Sequence, residues 1–425
     1  MKPPVLPDNV AALAFVCVLL MPCAVAGLAL LAAGLARSRN VAHSLLSALC
    51  AVGVAGVVYF AVGAAWQGTP GGREAVLWAG GRPWGWIGSG RLLLLGVSGD
   101  VSSAPLFTMF GLFAVCLAAI IPLGAAAERW RLGACCASTA GFAALVYAPF
   151  AHWTWGGGWL AQLGATFHLG GGFLDTGGAG TVQAAGGLAA LALAWILGPR
   201  RGKFHPDGTP AAVPAHNAAF VLAGCFLAWL GYLGLNCAGA LLFARCDVRG
   251  AAIVPLNVTL SAGAALLAAA AVTRLRYRVV DASLCANAWV AGLAAASAAS
   301  SAVTPAGSVI VGLVAGTLVI FSVEWLELRL KIDDPAGAVS VHAIGGLWGL
   351  LAAGVLANTG PEQWLAQVVG IAALLGFVLP AAYGFNWLLD RRRSQRVPPD
   401  AERRGLDLHE LGAGAYPDFM THEEF

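Results

Sequence analysis

Gln183 and His342 hold the same place in two near-copies of one segment, DTGGAGTVQAAGG at 175–187 and DPAGAVSVHAIGG at 334–346. An imidazole has a free pKa of about 6.5 and passes protons near physiological pH, whereas a carboxamide donates and accepts hydrogen bonds without titrating. If the two side chains meet, they can line a path or hold a small solute. They cannot relay a proton as two facing histidines would. The copies also share Asp175 with Asp334, Gly178 with Gly337, Ala179 with Ala338, Val182 with Val341, Ala184 with Ala343 and a terminal Gly-Gly. Each aspartate stands where a helix N-cap belongs, with Pro335 expected at the first helical position of the second copy. A lone histidine in a helix also serves as a plain helix–helix hydrogen bond; the matched polar position in the other copy favours the path-lining reading.

The elements that must position this pair are membrane helices. Of 425 residues, 59% are hydrophobic and 11% charged, and the mean hydropathy is +0.77, too apolar for a soluble domain. Fifty-six glycines suit helices that approach closely. Apolar stretches of spanning length are expected at 11–36, 44–65, 104–127, 133–151, 179–197, 217–242, 251–272, 282–302, 306–327, 338–357 and 365–389. Lys2 and the Ala24-Val25-Ala26 stretch have the form of a signal peptide, but the apolar run continues to Ala36 and then meets Arg37 and Arg39, which reads as a first spanning helix. Most of the ten cysteines fall inside apolar runs and read as small packing residues; Cys237 and Cys246, near one outer loop, are the pair that could form a disulfide.

With the N-terminus outside, sixteen Lys and Arg residues fall on inner loops and six on outer ones, the bias of a cell-membrane protein with its C-terminus in the cytoplasm. The first copy then opens the fifth span from outside and the second opens the tenth from inside. The fold class is therefore an all-α polytopic membrane protein of eleven transmembrane helices, two inverted five-helix repeats plus a final helix. Residues 1–390 form the membrane domain and 391–425 a cytoplasmic tail. Eight residues of helix rise about 12 Å, which carries Gln183 and His342 from opposite faces toward the midplane.

Several stretches together, MPCAVAGLALLAAGLARSRN, GAAAERWR, YAPFAHWTWGGGWL, WLGYLGLNCAG, DDPAGAVSVHAIGGLWG and the tail RVPPDAERRGLDLHELGAGAYPDF, resemble the ammonium transporter family (Amt/Mep/Rh) over nearly the whole chain. The resemblance implies a homotrimer in the membrane lipid, with one hydrophobic pore for ammonium or ammonia in each subunit. Trp155 matches the vestibule tryptophan that holds a cation on its ring face; an interfacial anchor is its other reading. Asp175 matches the buried aspartate beneath that vestibule, a helix cap first and a source of negative potential second. His342 matches the second pore histidine, and Gln183 stands in for the first. Two gate phenylalanines and a vestibule hydroxyl are missing: the inner gate position is Leu235, the hydroxyl position is Gly239, and the outer gate position is Ala114, with Phe113 one step away and Phe110 on a more distant aromatic of the family. By this resemblance Gly239→Ser is expected to tighten cation binding. The tail, with Gly405 to Asp407 and Tyr416, implies docking under a neighbouring subunit and a PII-type regulatory protein as partner. No nucleophile with a positioned base, metal-ligand cluster or phosphate loop is present, so no enzyme, cofactor or nucleic-acid partner is expected. An ammonium sensor or non-conducting regulatory relative is the alternative function, and a channel for another small solute a third.

Overall fold

The computed structural model describes residues 6–95, 97 and 103–416; Lys2 and the tail residues 417–425 lie outside them. The chain is a bundle of helices α1 (Asp8–Leu35), α2 (Ser38–Gln67), α3 (Ala104–Ala126), α4 (Leu132–Thr154), α5 (Ala179–Leu197), α6 (Ala218–Leu242), α7 (Gly250–Tyr277), α8 (Ala282–Ala296), α9 (Pro305–Leu328), α10 (Val339–Leu356) and α11 (Gln363–Arg392). Ten of these, among the described residues, are long and apolar enough to cross a membrane; α8 is the shorter one. The expected span 282–302 stops early because the chain beyond α8 turns aside. There the Ser297 and Ala298 carbonyls accept hydrogen bonds from Gly177 and Thr176 at 2.8 and 3.0 Å, holding the segment that leads into α5.

Small residues decide how the two halves cross. A Cβ added at Gly27 on α1 would strike the backbone of Ala228 on α6, and one at Gly231 on α6 would strike Ala24 on α1. The same reciprocity joins α5 to α10: Gly187 lies against Ala343, and Gly346 against Ala179 and Ala184. In both crossings glycine in one half meets alanine in the other and the contact is then repeated with the halves exchanged, the packing expected of inverted repeats.

At the end of the bundle rich in Lys and Arg, buried ions tie the loops together. Arg200 donates to Glu128 at 2.8 Å and to both oxygens of Asp333 at 2.9 and 3.0 Å, Arg129 donates to the Asp333 carbonyl, and Arg37 pairs with Glu128. Burial pushes the Asp333 carboxyl up, but Arg200 and Arg129 outweigh it and hold the group below its usual range. Removing one partner of such a cluster costs about 3–5 kcal/mol, because a bare charge stays buried.

The tail crosses this same face of its own chain. Trp130 Nε1 donates to Gln395, Glu402 accepts from Arg396 and from the Arg201 amide, and Asp407 accepts from the Ala42 and His43 amides at the start of α2. Glu410 meets His43 Nε2 at 2.9 Å and accepts from the Leu132 amide, and Tyr416 meets His216 at 3.1 Å. At the opposite end, strands β1 (Glu74–Ala79) and β2 (Arg82–Gly88) form an antiparallel hairpin. Its turn glycines Gly80 and Gly81 both have positive φ, the geometry a tight two-residue hairpin needs. Trp153 of α4 donates to the Trp86 carbonyl at 2.7 Å and anchors the hairpin. All ten cysteines, Cys237 and Cys246 included, are free thiols.

Candidate functional site

Each copy of the repeated segment is started by its aspartate, from across a turn. Asp175 accepts from the amides of Gly180 and Thr181 at 3.0 and 2.7 Å and from the Thr181 hydroxyl at 2.7 Å. Asp334 accepts from the amides of Ala338 and Val339 at 2.9 and 2.7 Å. Between cap and helix the chain passes through glycine at φ +83° in the first copy and φ +70° in the second, Gly178 and Gly337, a left-handed conformation that costs glycine little. Pro335 therefore lies in the turn before Gly337 instead of opening the helix, because the left-handed residue interrupts the run. Burial pushes both carboxyls up to about 6, against the pull of the hydrogen bonds they accept.

Both helices then begin with a π-turn, Ala179–Ala184 in α5 and Val339–Ile344 in α10. Such turns widen the helix and recur at functional sites. Gln183 and His342 sit within them, both buried, and meet: His342 Nδ1 lies 2.8 Å from Gln183 Oε1. A carboxamide oxygen only accepts, so His342 carries its proton on Nδ1 and keeps the lone pair of Nε2. The same oxygen accepts from the hydroxyl of Tyr232, on α6, at 2.8 Å. Gln183 Nε2 is buried with no hydrogen-bond partner. A donor of this kind left dry costs about 1–3 kcal/mol, so it asks for a visiting acceptor.

Toward the hairpin end, Trp155 is buried and its indole donates to the Asp175 carbonyl at 2.7 Å. Phe110 stands edge-on to the indole with ring centroids 5.1 Å apart. Phe243, at the end of α6, lies flat on it at 5.2 Å with 8° between the planes. One face of the indole is thus covered by another ring. Gly239 is pressed against the backbone of Thr176, so that a Cβ there would strike the Thr176 carbonyl oxygen; it cannot present a side chain to a vestibule. Leu235 and Ala114 are fully buried, and Leu235 shares its helical face with Tyr232 and Gly239 by spacing. Phe113 departs from the expected pore lining: it lies on a groove formed with Val25 of α1 and Val52 of α2, on the outer flank of the bundle.

Gln183 thus meets His342, and Trp155 meets Asp175 and Phe110, while Phe113 lines a different groove. Two residues of these two clusters escape the sequence reading. Tyr232 could have been found by its place, three residues before Leu235 and seven before Gly239 on one stripe. Phe243 carries no such signal, since it reads as the apolar end of a helix.

A multi-pass helical bundle of two inverted halves, with a buried polar pair where they cross and an aromatic cluster above it, has the architecture of a membrane transporter. The chain belongs to the ammonium transporter family: the family model, Ammonium Transporter Family, matches residues 11–416. It is 36% identical to the ammonium transporter Amt2 of Archaeoglobus fulgidus, over 96% of this chain and 88% of that one, and 32% identical to the ammonium transporter of Bacillus subtilis, over 96% and 98%. Among solved structures it is similar to one described as a sensor Amt protein, with a TM-score of 0.85 at 28% identity, over 95% of this chain and 98% of that one.

Proposed function

We propose that this chain moves ammonia across the membrane through a passage between its inverted halves, taking ammonium at the Trp155 end and passing uncharged ammonia by Gln183 and His342. The contact between His342 Nδ1 and Gln183 Oε1 at 2.8 Å carries this reading. Once that bond is made, the pair offers a passing solute a donor, Gln183 Nε2, and an acceptor, His342 Nε2. Ammonia has one lone pair and three N–H groups and can satisfy both. Ammonium has no lone pair, and a bare cation pays heavily for a dry apolar site. Gln183 cannot titrate, so the proton stays in the outer water and the net movement is electroneutral.

Trp155, Phe110 and the Asp175 carboxylate, which is ionised above about 6, form the loading end; Leu235 lines the stretch below it. The surplus of Lys and Arg on one side supports an N-terminus outside and a cytoplasmic tail beyond residue 390. Family resemblance supports a homotrimer, with a PII-type protein as a partner at the tail. The test is reconstitution in vesicles with the lumenal pH and the membrane current followed together. An ammonium gradient is expected to alkalinise the lumen without current, and a current that scales with ammonium would overturn the electroneutral reading. A second reading, an ammonium sensor that does not conduct, is favoured by the ring of Phe243 lying over Trp155; specific ammonium binding with no flux would select it.

A further inference from the structure

The indole of Trp155 has a lid that the repeat and its pore do not require. Phe243 lies parallel to it, while Phe110 closes against both rings, edge-on to Trp155 and 5.1 Å from Phe243 at 75°. Phe107 adds a fourth ring, 5.5 Å from Phe243. Trp155 is left 3% exposed, whereas Phe243 itself is only partly buried. The covering ring thus belongs to the most exposed residue of the stack.

Phe243 ends α6, with its amide bonded to the Gly239 carbonyl at 2.8 Å. Two residues later Arg245 takes φ +54°, a left-handed turn that sends the chain back so that the Cys246 amide reaches the Ala240 carbonyl at 3.1 Å. Ala244 and Arg245 are exposed. Phe243 therefore stands at a helix terminus beside an exposed turn, not within a continuous helix.

We propose that Phe243 is a specificity-determining residue of the outer site: its ring occupies the Trp155 face on which a cation would rest, and must leave that face before the site loads. This rests on the reading of Trp155 as the loading end. Aromatic stacking and cation–π attraction are of comparable strength, so ammonium competes with the ring for the indole instead of finding the face empty. The site's apparent affinity is lowered by that competition. Cations are also sorted by whether they can fit beneath a ring that swings aside without leaving the cluster, which excludes bulky quaternary ions.

The experiment uses tetramethylammonium, which cannot lose a proton, with calorimetry on the purified full-length protein. Wild type and Phe243→Trp, which keeps a stacked ring, are expected to bind it weakly. Phe243→Ala opens a space about the size of a phenyl ring over the indole and is expected to bind it on the order of two- to thirtyfold more tightly, with a parallel gain for ammonium. In Phe243→Ala combined with Trp155→Leu the gain should vanish. Phe243→Leu gives a milder opening if the alanine variant folds poorly, and should fall between wild type and alanine. The proposal is overturned if opening the position leaves tetramethylammonium binding unchanged, or if the gain survives removal of the indole. Failure of the transport reading looks different: neither wild type nor variant alkalinises vesicles, while the calorimetric difference remains.

Discussion

Tyr232 and His342 hold the same atom: each lies 2.8 Å from Gln183 Oε1. The glutamine is therefore oriented from α6 and from α10 at once, and its free amide hydrogens are aimed by that double grip. Tyr232→Phe deletes one side of it. A neutral hydrogen bond contributes about 0.5–1.5 kcal/mol net, so a modest fall in thermal stability is expected, with a larger loss of ammonia flux because Gln183 can then rotate. A flux unchanged in vesicles matched for protein content would show that the tyrosine does not position the amide.

Gln183→His places a titratable ring where a non-titrating carboxamide stands, against the Nδ1 of His342 and the hydroxyl of Tyr232. An ammonium-dependent current is expected to appear or strengthen, because a proton can then be shared along the pair. Recordings at a pH near 7 check it; equal currents in both proteins would leave Gln183 as an orienting residue only. His342→Ala removes the Nε2 acceptor and the partner that orients Gln183, and is expected to abolish flux.

Gly239→Ser is expected to lower stability and not to tighten ammonium binding. Family resemblance alone points the other way, since it treats the position as a lost hydroxyl, but the added Cβ would strike the Thr176 carbonyl oxygen. Overpacking of this kind costs about 1–3 kcal/mol or more, and the displaced Thr176 would disturb the bonds that lead into α5. Thermal unfolding in detergent together with ammonium calorimetry separates the two outcomes.

The Asp175 and Asp334 carboxyls, raised by burial from 3.8 to about 6, set a direction for pH. A carboxyl whose folded value is raised contributes stability that is complete below its free value and is lost as pH climbs through the folded one. The starts of α5 and α10 are expected to open more readily at pH of about 7 than at about 4, read by amide hydrogen exchange corrected for its intrinsic rate. Asp175→Asn should flatten that dependence in the 179–184 amides and leave the second copy unaffected.

Much of this architecture is written in patterns that a single sequence carries. Apolar runs of spanning length have few alternatives in a chain this poor in charge, and duplicated aspartates and glycines mark the two helix starts because few residue types cap a helix or turn left-handed cheaply. The meeting of Gln183 with His342 follows from repeat geometry alone. What stayed hidden depends on distance in the chain. Tyr232 finds its acceptor 49 residues away, the ring of Phe243 covers an indole just past the end of α4, and the chain beyond α8 is bonded by two amides, Thr176 and Gly177, that lead into another helix. Nothing local in those residues announces their partners.

The reciprocal contacts of Gly187 with Ala343 and Gly346 with Ala184 have a mechanical meaning. Backbones that touch at two places on either side of a twofold axis are welded there, since a slide that relieves one contact drives the other into collision, and packed interiors tolerate no such overlap. The crossing of α1 with α6 adds a second weld of the same design. Rocking of one half against the other, by which many inverted-repeat carriers expose a site to each side in turn, would have to break both welds at once. For the proposed passage they favour a fixed conduit whose moving parts are no larger than a side chain.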